Sequence, residues 1–147
     1  MTNLYIDVPA GMKFADAAEW ALCAKYGIER KKHDSSAYDK DSDVNAGDTR
    51  ISVKTSAFTL MAGSLCEGRT EFSAIWELYA DKVHSNVFAY VTKDSVCYMM
   101  NLDEFRKFVF TWCKTEKESA KNGGGVKIRC KKESKKMQAW LAAQVAA

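Results

Sequence analysis

Apolar residues recur at intervals of three and four along four segments of the chain, and this spacing is typical of helices that bury one face. Residues 14–27 form the first segment, and Gly27 is its predicted C-terminal stop. Residues 69–83 form the second, with Thr70 as the expected N-cap, residues 102–116 form the third, and the fourth closes the chain. The inward positions predicted for the last three are Phe72, Ile75, Trp76 and Tyr79; Leu102, Phe105, Val109 and Trp112; and Met137, Trp140, Leu141 and Val145.

Between these segments apolar and polar residues alternate with a period of two, which is typical of strands that bury one face. The predicted strands are residues 28–33, 43–47, 49–56, 86–93, 95–101 and 126–131. Neither a repeat nor a long linker divides the sequence. We therefore expect a single α/β domain over residues 1–147, in which helices pack against a central sheet.

Gly47 and Asp48 separate the second and third predicted strands, and they predict a two-residue hairpin turn that begins with glycine. Residues whose numbers sum to 95 then face each other, which gives the pairs Asp43–Ser52 and Asp41–Lys54. Because side chains alternate along a strand, Ser52 and Lys54 share one face. A solvated hairpin with a salt bridge from Lys54 to Asp41 is one interpretation of this pattern.

The composition is that of an ordinary globular domain, with 47% apolar and 28% charged residues in 147. No apolar run is long enough for a membrane helix, and the first residues lack the basic-then-apolar order of a signal peptide. We therefore expect a cytoplasmic protein with no membrane partner. The five cysteines are scattered singly, which favours buried thiols over a disulfide framework or a zinc site.

Charge is distributed unevenly along the chain. Residues 1–112 hold 13 Lys or Arg against 16 Asp or Glu, and residues 113–147 hold 9 against 3. A basic C-terminal segment on an acidic body suits a polyanionic partner, although a solubilising tail has the same composition. The basic residues of interest are Lys127, Arg129 and Lys131, which share one face of the last strand, and Lys132, Lys135 and Lys136, which follow it.

Asp43 on the second strand and the triplet Ser52-Val53-Lys54 on the third resemble the active site of the restriction-endonuclease-like nucleases with a PD-(D/E)xK motif. The order of helix, three-strand meander, helix and strand resembles the core of that family as well. Two positions depart from its pattern: Ser42 precedes the aspartate in place of proline, and Ser52 replaces the second acid.

Serine cannot replace a carboxylate as a strong Mg²⁺ ligand, so the resemblance needs a second acid from elsewhere in the chain. One branch of the family pairs Ser-x-Lys with a carboxylate about a dozen residues downstream, and Glu67 matches that place. Glu71, one helical turn further on, and Glu19 in the first helix are rival sources, because some family members draw a glutamate from that helix.

The resemblance implies a DNA endonuclease that depends on Mg²⁺, for which Mn²⁺ could substitute. Asp43 and Glu67 would be metal ligands, with the carbonyl of Val53 as a backbone ligand. Lys54 would orient the attacking water and stabilise charge on the phosphate, and Ser52 would hydrogen-bond a metal-bound water. The basic C-terminal residues would bind DNA phosphates, and a homodimer is compatible with the family.

Two other functional classes stay open from the sequence. The first is a nucleic-acid-binding module on the same fold that has lost its full acid set, and Ser52 is the residue that favours it. The second is a small interaction protein in which the hairpin is only a surface feature. Added Mg²⁺ separates these classes, because only a nuclease would then cleave DNA.

Overall fold

The computed structural model describes residues 1–28, 43–61, 71–117 and 125–147. The fold is mixed α/β, as the sequence predicts. The helices are α1 (Phe14–Lys25), α2 (Phe72–Lys82), α3 (Leu102–Trp112) and α4 (Lys135–Ala146). The strands are β1 (Thr2–Tyr5), β2 (Val44–Ala46), β3 (Thr49–Lys54), β4 (Thr59–Met61), β5 (Val87–Val91), β6 (Val96–Met100), β7 (Cys113–Lys117) and β8 (Val126–Cys130). In these ranges no helix has the length and apolar character needed to cross a membrane.

A five-stranded sheet in the order β1-β6-β5-β3-β2 forms the centre of the fold. Strands β3 and β5 are parallel and α2 lies between them in the sequence, whereas the other neighbours are antiparallel. Helix α1 packs on one face of this sheet, where Leu22 joins a buried cluster with Ile51 and Val91. The opposite face packs against α2, α3, α4 and a second sheet in the order β4-β8-β7.

The predicted hairpin is confirmed, and so is its register. Val44 faces Ile51 and Ala46 faces Thr49. Gly47 has a φ of +62°, a conformation that glycine adopts without the steric penalty of a Cβ atom. The turn chemistry therefore fixes which side chains of β3 face which side of the sheet. Asp41 lies outside the described residues, so its predicted pairing with Lys54 does too.

The predicted end of α1 is also confirmed. Gly27 adopts a φ of +65°, its N–H donates to the Ala24 carbonyl at 3.2 Å, and the Ile28 N–H donates to the Cys23 carbonyl at 2.8 Å. These two bonds form a Schellman motif, which satisfies carbonyls that the last turn of a helix leaves without partners.

The predicted third helix is too long. It ends at Trp112, and the next five residues form β7, which pairs with β8 along its whole length. Beyond Cys113 the segment K-T-E-K has no apolar residue to continue a helical stripe, and hydrogen bonds to β8 replace those of the helix.

Strands β1 and β4 were not predicted from the sequence. The predicted strand at residues 28–33, apart from Ile28, and Thr70 lie outside the described residues, and Glu71 occupies the N-cap of α2.

Candidate functional site

The carboxyl ends of β3 and β5 lie side by side, because these two strands are parallel neighbours. In their register Ser52 is paired with Phe88, and Lys54 with Tyr90. Ligands of α/β proteins commonly bind beyond the carboxyl ends of parallel strands. This edge of the sheet is therefore a candidate site, and it carries Lys54, which the sequence predicts as a site residue.

Asp43 is bound to the strand that carries Lys54. Its backbone N–H donates to the Ile51 carbonyl at 2.9 Å, and its carboxylate Oδ2 accepts a bond of 2.8 Å from the N–H of Val53. The aspartate therefore serves as an acceptor for β3 at the point where β2 begins. The sequence interpretation assigned the Val53 carbonyl to a metal, whereas the contact seen here uses the N–H of that residue.

Ser52 and Lys54 lie on the sheet face that packs against α2 and α3. Ser52 is only 2% exposed. Its hydroxyl therefore offers very little surface to an incoming ligand. Lys54, two residues further along, is half-buried.

The structure describes two of the three candidates for a second acid, Glu19 and Glu71. Helix α1, which carries Glu19, packs on the opposite face of the sheet from Lys54. Glu71 is exposed at the start of α2, and Glu67 falls outside the described residues. Within the described ranges, no three His, Cys, Asp or Glu side chains come together in an arrangement that could hold a metal ion. The described residues alone therefore do not complete a ligand set for Mg²⁺.

The structure adds a carboxylate that the sequence interpretation missed. Glu133 is 8% exposed and accepts hydrogen bonds from the Tyr90 hydroxyl at 3.1 Å, the Lys93 N–H at 3.0 Å and the Gln138 amide at 2.8 Å. Its own N–H donates to the Ser56 hydroxyl at 3.0 Å. Glu133 thus joins the ends of β3 and β5 to the start of α4. A single acid inside the basic run K-K-E-S-K-K was the signal in the sequence.

The Glu133 network is a satisfied structural anchor. Both carboxylate oxygens already accept from donors, which compensates for the loss of water around a buried charge. Burial, and secondly the charge of Glu133, raise the pKa of Tyr90 above its ordinary value, so that its hydroxyl remains a donor. A metal ion at Glu133 would have to displace these partners.

Four lysines lie at the strand ends beside this network. We call Lys54, Lys93, Lys131 and Lys132 the strand-end lysines, because they lie at the ends of β3, β5 and β8. Lys93 donates its backbone N–H to Glu133, and Lys131 and Lys132 directly precede that residue. The side chains of Lys93, Lys131 and Lys132 are exposed. The buried acid therefore holds together backbone segments whose side chains carry positive charge into solvent.

A second basic surface lies on the outward side of the three-stranded sheet. We call Lys114, Lys127 and Arg129 the basic sheet face. Arg129 is paired with Lys114 on β7, and Lys127 with Glu116. Glu116 lies 3.9 Å from Arg129, and both side chains are exposed, so this ion pair is weak. Val126, Ile128 and Cys130 between them are buried, which confirms the predicted alternation.

The start of α4 extends the basic surface. Lys135 and Lys136 are exposed in its first turn, which holds no acidic residue. Ser134 caps the helix by accepting from the Met137 N–H at 3.2 Å. The partial positive charge of a helix N-terminus disfavours nearby lysines, so an anion bound here would relieve repulsion.

No protein-family model, curated protein or solved structure matches this chain. The placement and charge of the residues described above are therefore the features that indicate a function.

Proposed function

We propose that this protein binds the phosphate backbone of nucleic acid along its basic C-terminal segment. The observation that carries the proposal is the outward orientation of the basic sheet face over a buried row of Val126, Ile128 and Cys130. The strand-end lysines Lys131 and Lys132, followed by Lys135 and Lys136, continue the exposed positive charge beyond the end of β8. This arrangement suits an extended anion better than a small one.

Electrostatics supports a partner of high negative charge. Residues 113–147 carry a net charge of +6, while the rest of the chain carries −3, so the attraction is concentrated on one part of the molecule. Lysine and arginine that neutralise phosphates release condensed counterions, which gives affinity without reading the base sequence. We therefore propose binding that depends on salt and varies little with sequence.

A salt titration with a matched control tests this proposal. Fluorescence anisotropy would measure affinity for single-stranded DNA, duplex DNA and RNA of equal length. Replacing Lys127 and Arg129 with glutamine should lower the affinity and reduce the salt slope by roughly two units for duplex DNA. Replacing Lys13 and Lys25 with glutamine removes the same charge from exposed positions at α1 and should leave the slope unchanged. Equal losses in the two variants would contradict a localised binding surface.

A second candidate function is the divalent-metal-dependent cleavage of DNA. It is favoured by one specific arrangement: Asp43 is hydrogen-bonded to the residue before Lys54, at the carboxyl end of β3. The parallel crossover from β3 through α2 to β5 is compatible with the helix and strand order of restriction-endonuclease-like enzymes. In this candidate Asp43 and Glu67 are the acids, Mg²⁺ or Mn²⁺ is the cofactor, and Lys54 stabilises charge at the phosphate.

Supercoiled plasmid DNA incubated with Mg²⁺ or with a chelator tests the second candidate. Nicking that needs the metal, and that is lost in Asp43→Asn, would support it. Binding without nicking at any metal concentration would leave the nucleic-acid-binding module as the function. Measuring nicking at concentrations that favour the monomer and at concentrations that favour a dimer would show whether cleavage needs a homodimer.

A further inference from the structure

Two cysteines occupy paired positions on neighbouring strands of the second sheet. Cys113 on β7 is paired with Cys130 on β8 in the antiparallel register. Both are free thiols; Cys130 is 2% exposed and Cys113 is half-buried. The two cysteines are far apart in the sequence and belong to no cysteine motif, so the sequence alone does not predict this pairing.

The ladder around this pair determines its geometry. One step along, the Lys131 N–H donates to the Trp112 carbonyl at 3.1 Å. The Cys130 N–H turns to the other side and donates to the Phe58 carbonyl at 2.9 Å. Because hydrogen-bonded and non-hydrogen-bonded pairs alternate in an antiparallel ladder, Cys113 and Cys130 form a non-hydrogen-bonded pair.

That position suits a disulfide. The Cα atoms of a non-hydrogen-bonded pair lie about 4.5 Å apart, and disulfides span Cα separations of about 4.4–6.8 Å. A hydrogen bond with Cys130, and secondly burial, raises the pKa of the Cys113 thiol above its ordinary value. Cys113 therefore rests as a thiol near neutral pH and reacts slowly.

We propose that Cys113 and Cys130 are a redox-modification site, which closes to an intramolecular cross-strand disulfide when a small disulfide such as oxidised glutathione is present. The more exposed thiol, Cys113, attacks as the thiolate, forms a mixed disulfide and releases one glutathione thiol. The Cys130 thiolate then attacks the Cys113 sulfur and releases the second. The protein gives up two protons and two electrons, and the small disulfide is reduced to two thiols.

Closure would covalently fasten the two strands that carry the basic sheet face. The bond closes a loop between residues 113 and 130, and a loop of this length restricts the unfolded chain appreciably. The pairing of Cys113 with Cys130 does not involve the basic side chains, so closure is independent of whether the basic sheet face binds nucleic acid.

Peptide mapping of the full chain tests the site. After incubation with oxidised glutathione, digestion without reductant should yield one linked pair of peptides that contain Cys113 and Cys130. The midpoint of thermal unfolding should rise by roughly 5–10 °C and return to its original value after reduction with dithiothreitol. Mapping uses the unaltered protein, so its result does not depend on whether a variant folds.

Variants provide the controls. Cys113→Ala and Cys130→Ala should each abolish the link and the thermal shift, whereas Cys97→Ala, at a buried position on β6, should retain both. A link from either cysteine to Cys66, glutathione retained on Cys113 without closure, or unreacted thiols after prolonged oxidation would each overturn the proposal.

Discussion

The carboxylate of Asp43 accepts a hydrogen bond from the backbone N–H of Val53 at 2.8 Å, one residue before Lys54. This bond gives the aspartate a structural role in addition to any role toward a metal. Charged acceptors make stronger bonds to backbone donors than neutral ones do. A change at this position can therefore affect both stability and chemistry, and the two effects have to be measured separately.

Asp43→Ala should lower the free energy of unfolding by about 1–3 kcal/mol, because the Val53 N–H loses its acceptor in a partly buried place. Asp43→Asn keeps an oxygen acceptor and should cost less than about 1 kcal/mol. Urea titration measures both, and Asp7→Ala, at an exposed loop position, is the control. Equal losses for the alanine and asparagine variants would mean that the hydrogen bond does not contribute. If the chain is a nuclease, Asp43→Asn should also abolish Mg²⁺-dependent cleavage while the fold persists.

Lys54→Ala should reduce the rate of any metal-dependent cleavage by about 100-fold at saturating DNA, since it removes a charge that stabilises the transition state. Its effect on affinity should be small, because one phosphate contact among several is lost. Single-turnover kinetics separates the cleavage rate from the affinity for DNA.

Among variants of the candidate acids, Glu67→Gln should lose the most cleavage activity. Normal cleavage by Glu67→Gln together with a loss in Glu19→Gln would mean that the second metal ligand lies in the first helix. Glu71→Gln completes the series.

Lys131→Ala combined with Lys135→Ala should weaken DNA binding for all sequences and flatten its salt dependence by up to about two units of slope. Both side chains are exposed, so the fold should be unaffected. Anisotropy over a range of salt concentrations gives the slope. Turnover at saturating DNA should hardly change, and a complete loss of turnover there would place the chemistry in the basic segment.

Glu133→Ala should be among the most destabilising changes in the chain, by about 2–4 kcal/mol, because it leaves the buried Tyr90 hydroxyl and the partly buried Gln138 amide without an acceptor. Glu133→Gln keeps one oxygen and should cost less. A double-mutant cycle with Tyr90→Phe, measured by chemical unfolding, should give a coupling energy of about 0.5–3 kcal/mol. Strict additivity of the two changes would contradict the network.

Stability should fall as the pH rises above about 9, the ordinary pKa of cysteine, and fall more steeply above about 10, the ordinary pKa of tyrosine. Burial, and then the charge of Glu133, hold the pKa of Tyr90 above that value in the folded chain, while burial raises the pKa of Cys97 to about 12. The unfolded chain therefore loses these protons first, and each group removes about 1.4 kcal/mol of stability per pH unit. Tyr90→Phe should flatten the decline, whereas Tyr5→Phe, at a side chain that is 71% exposed, should leave it unchanged. Parallel curves for all three proteins would contradict the assignment to Tyr90.

Features set by a few adjacent residues could be predicted from the sequence. Gly27 ends α1 and Gly47 turns the hairpin because each needs a positive φ, and that need is visible from residue type and position. The alternation of Val126, Ile128 and Cys130 in the sequence also predicts their burial correctly.

Features set by distant partners could not be predicted in this way. The apolar period of α3 runs on through Trp112 to Cys113, and only the presence of β8 as a partner makes the following residues a strand. Glu133 stands in a run of lysines that reads as solvated surface, and its burial depends on Tyr90, which lies 43 residues away in the sequence. Local pattern therefore predicts turns and strand faces here, but neither the second sheet nor the anchor of the site.

The pairing of β1 with β6 has a consequence for how this chain is made. Thr2 lies opposite Met99, and Tyr5 opposite Val96, so the edge of the central sheet joins residues from distant parts of the sequence. Ribosomes add roughly 5–20 residues per second, so β1 emerges at least several seconds before its partner exists. During that interval the backbone N–H and carbonyl groups of β1 that later bond to β6 remain hydrogen-bonded to water. Strand β1, although it is made well before β6, is therefore one of the last strands to join this sheet.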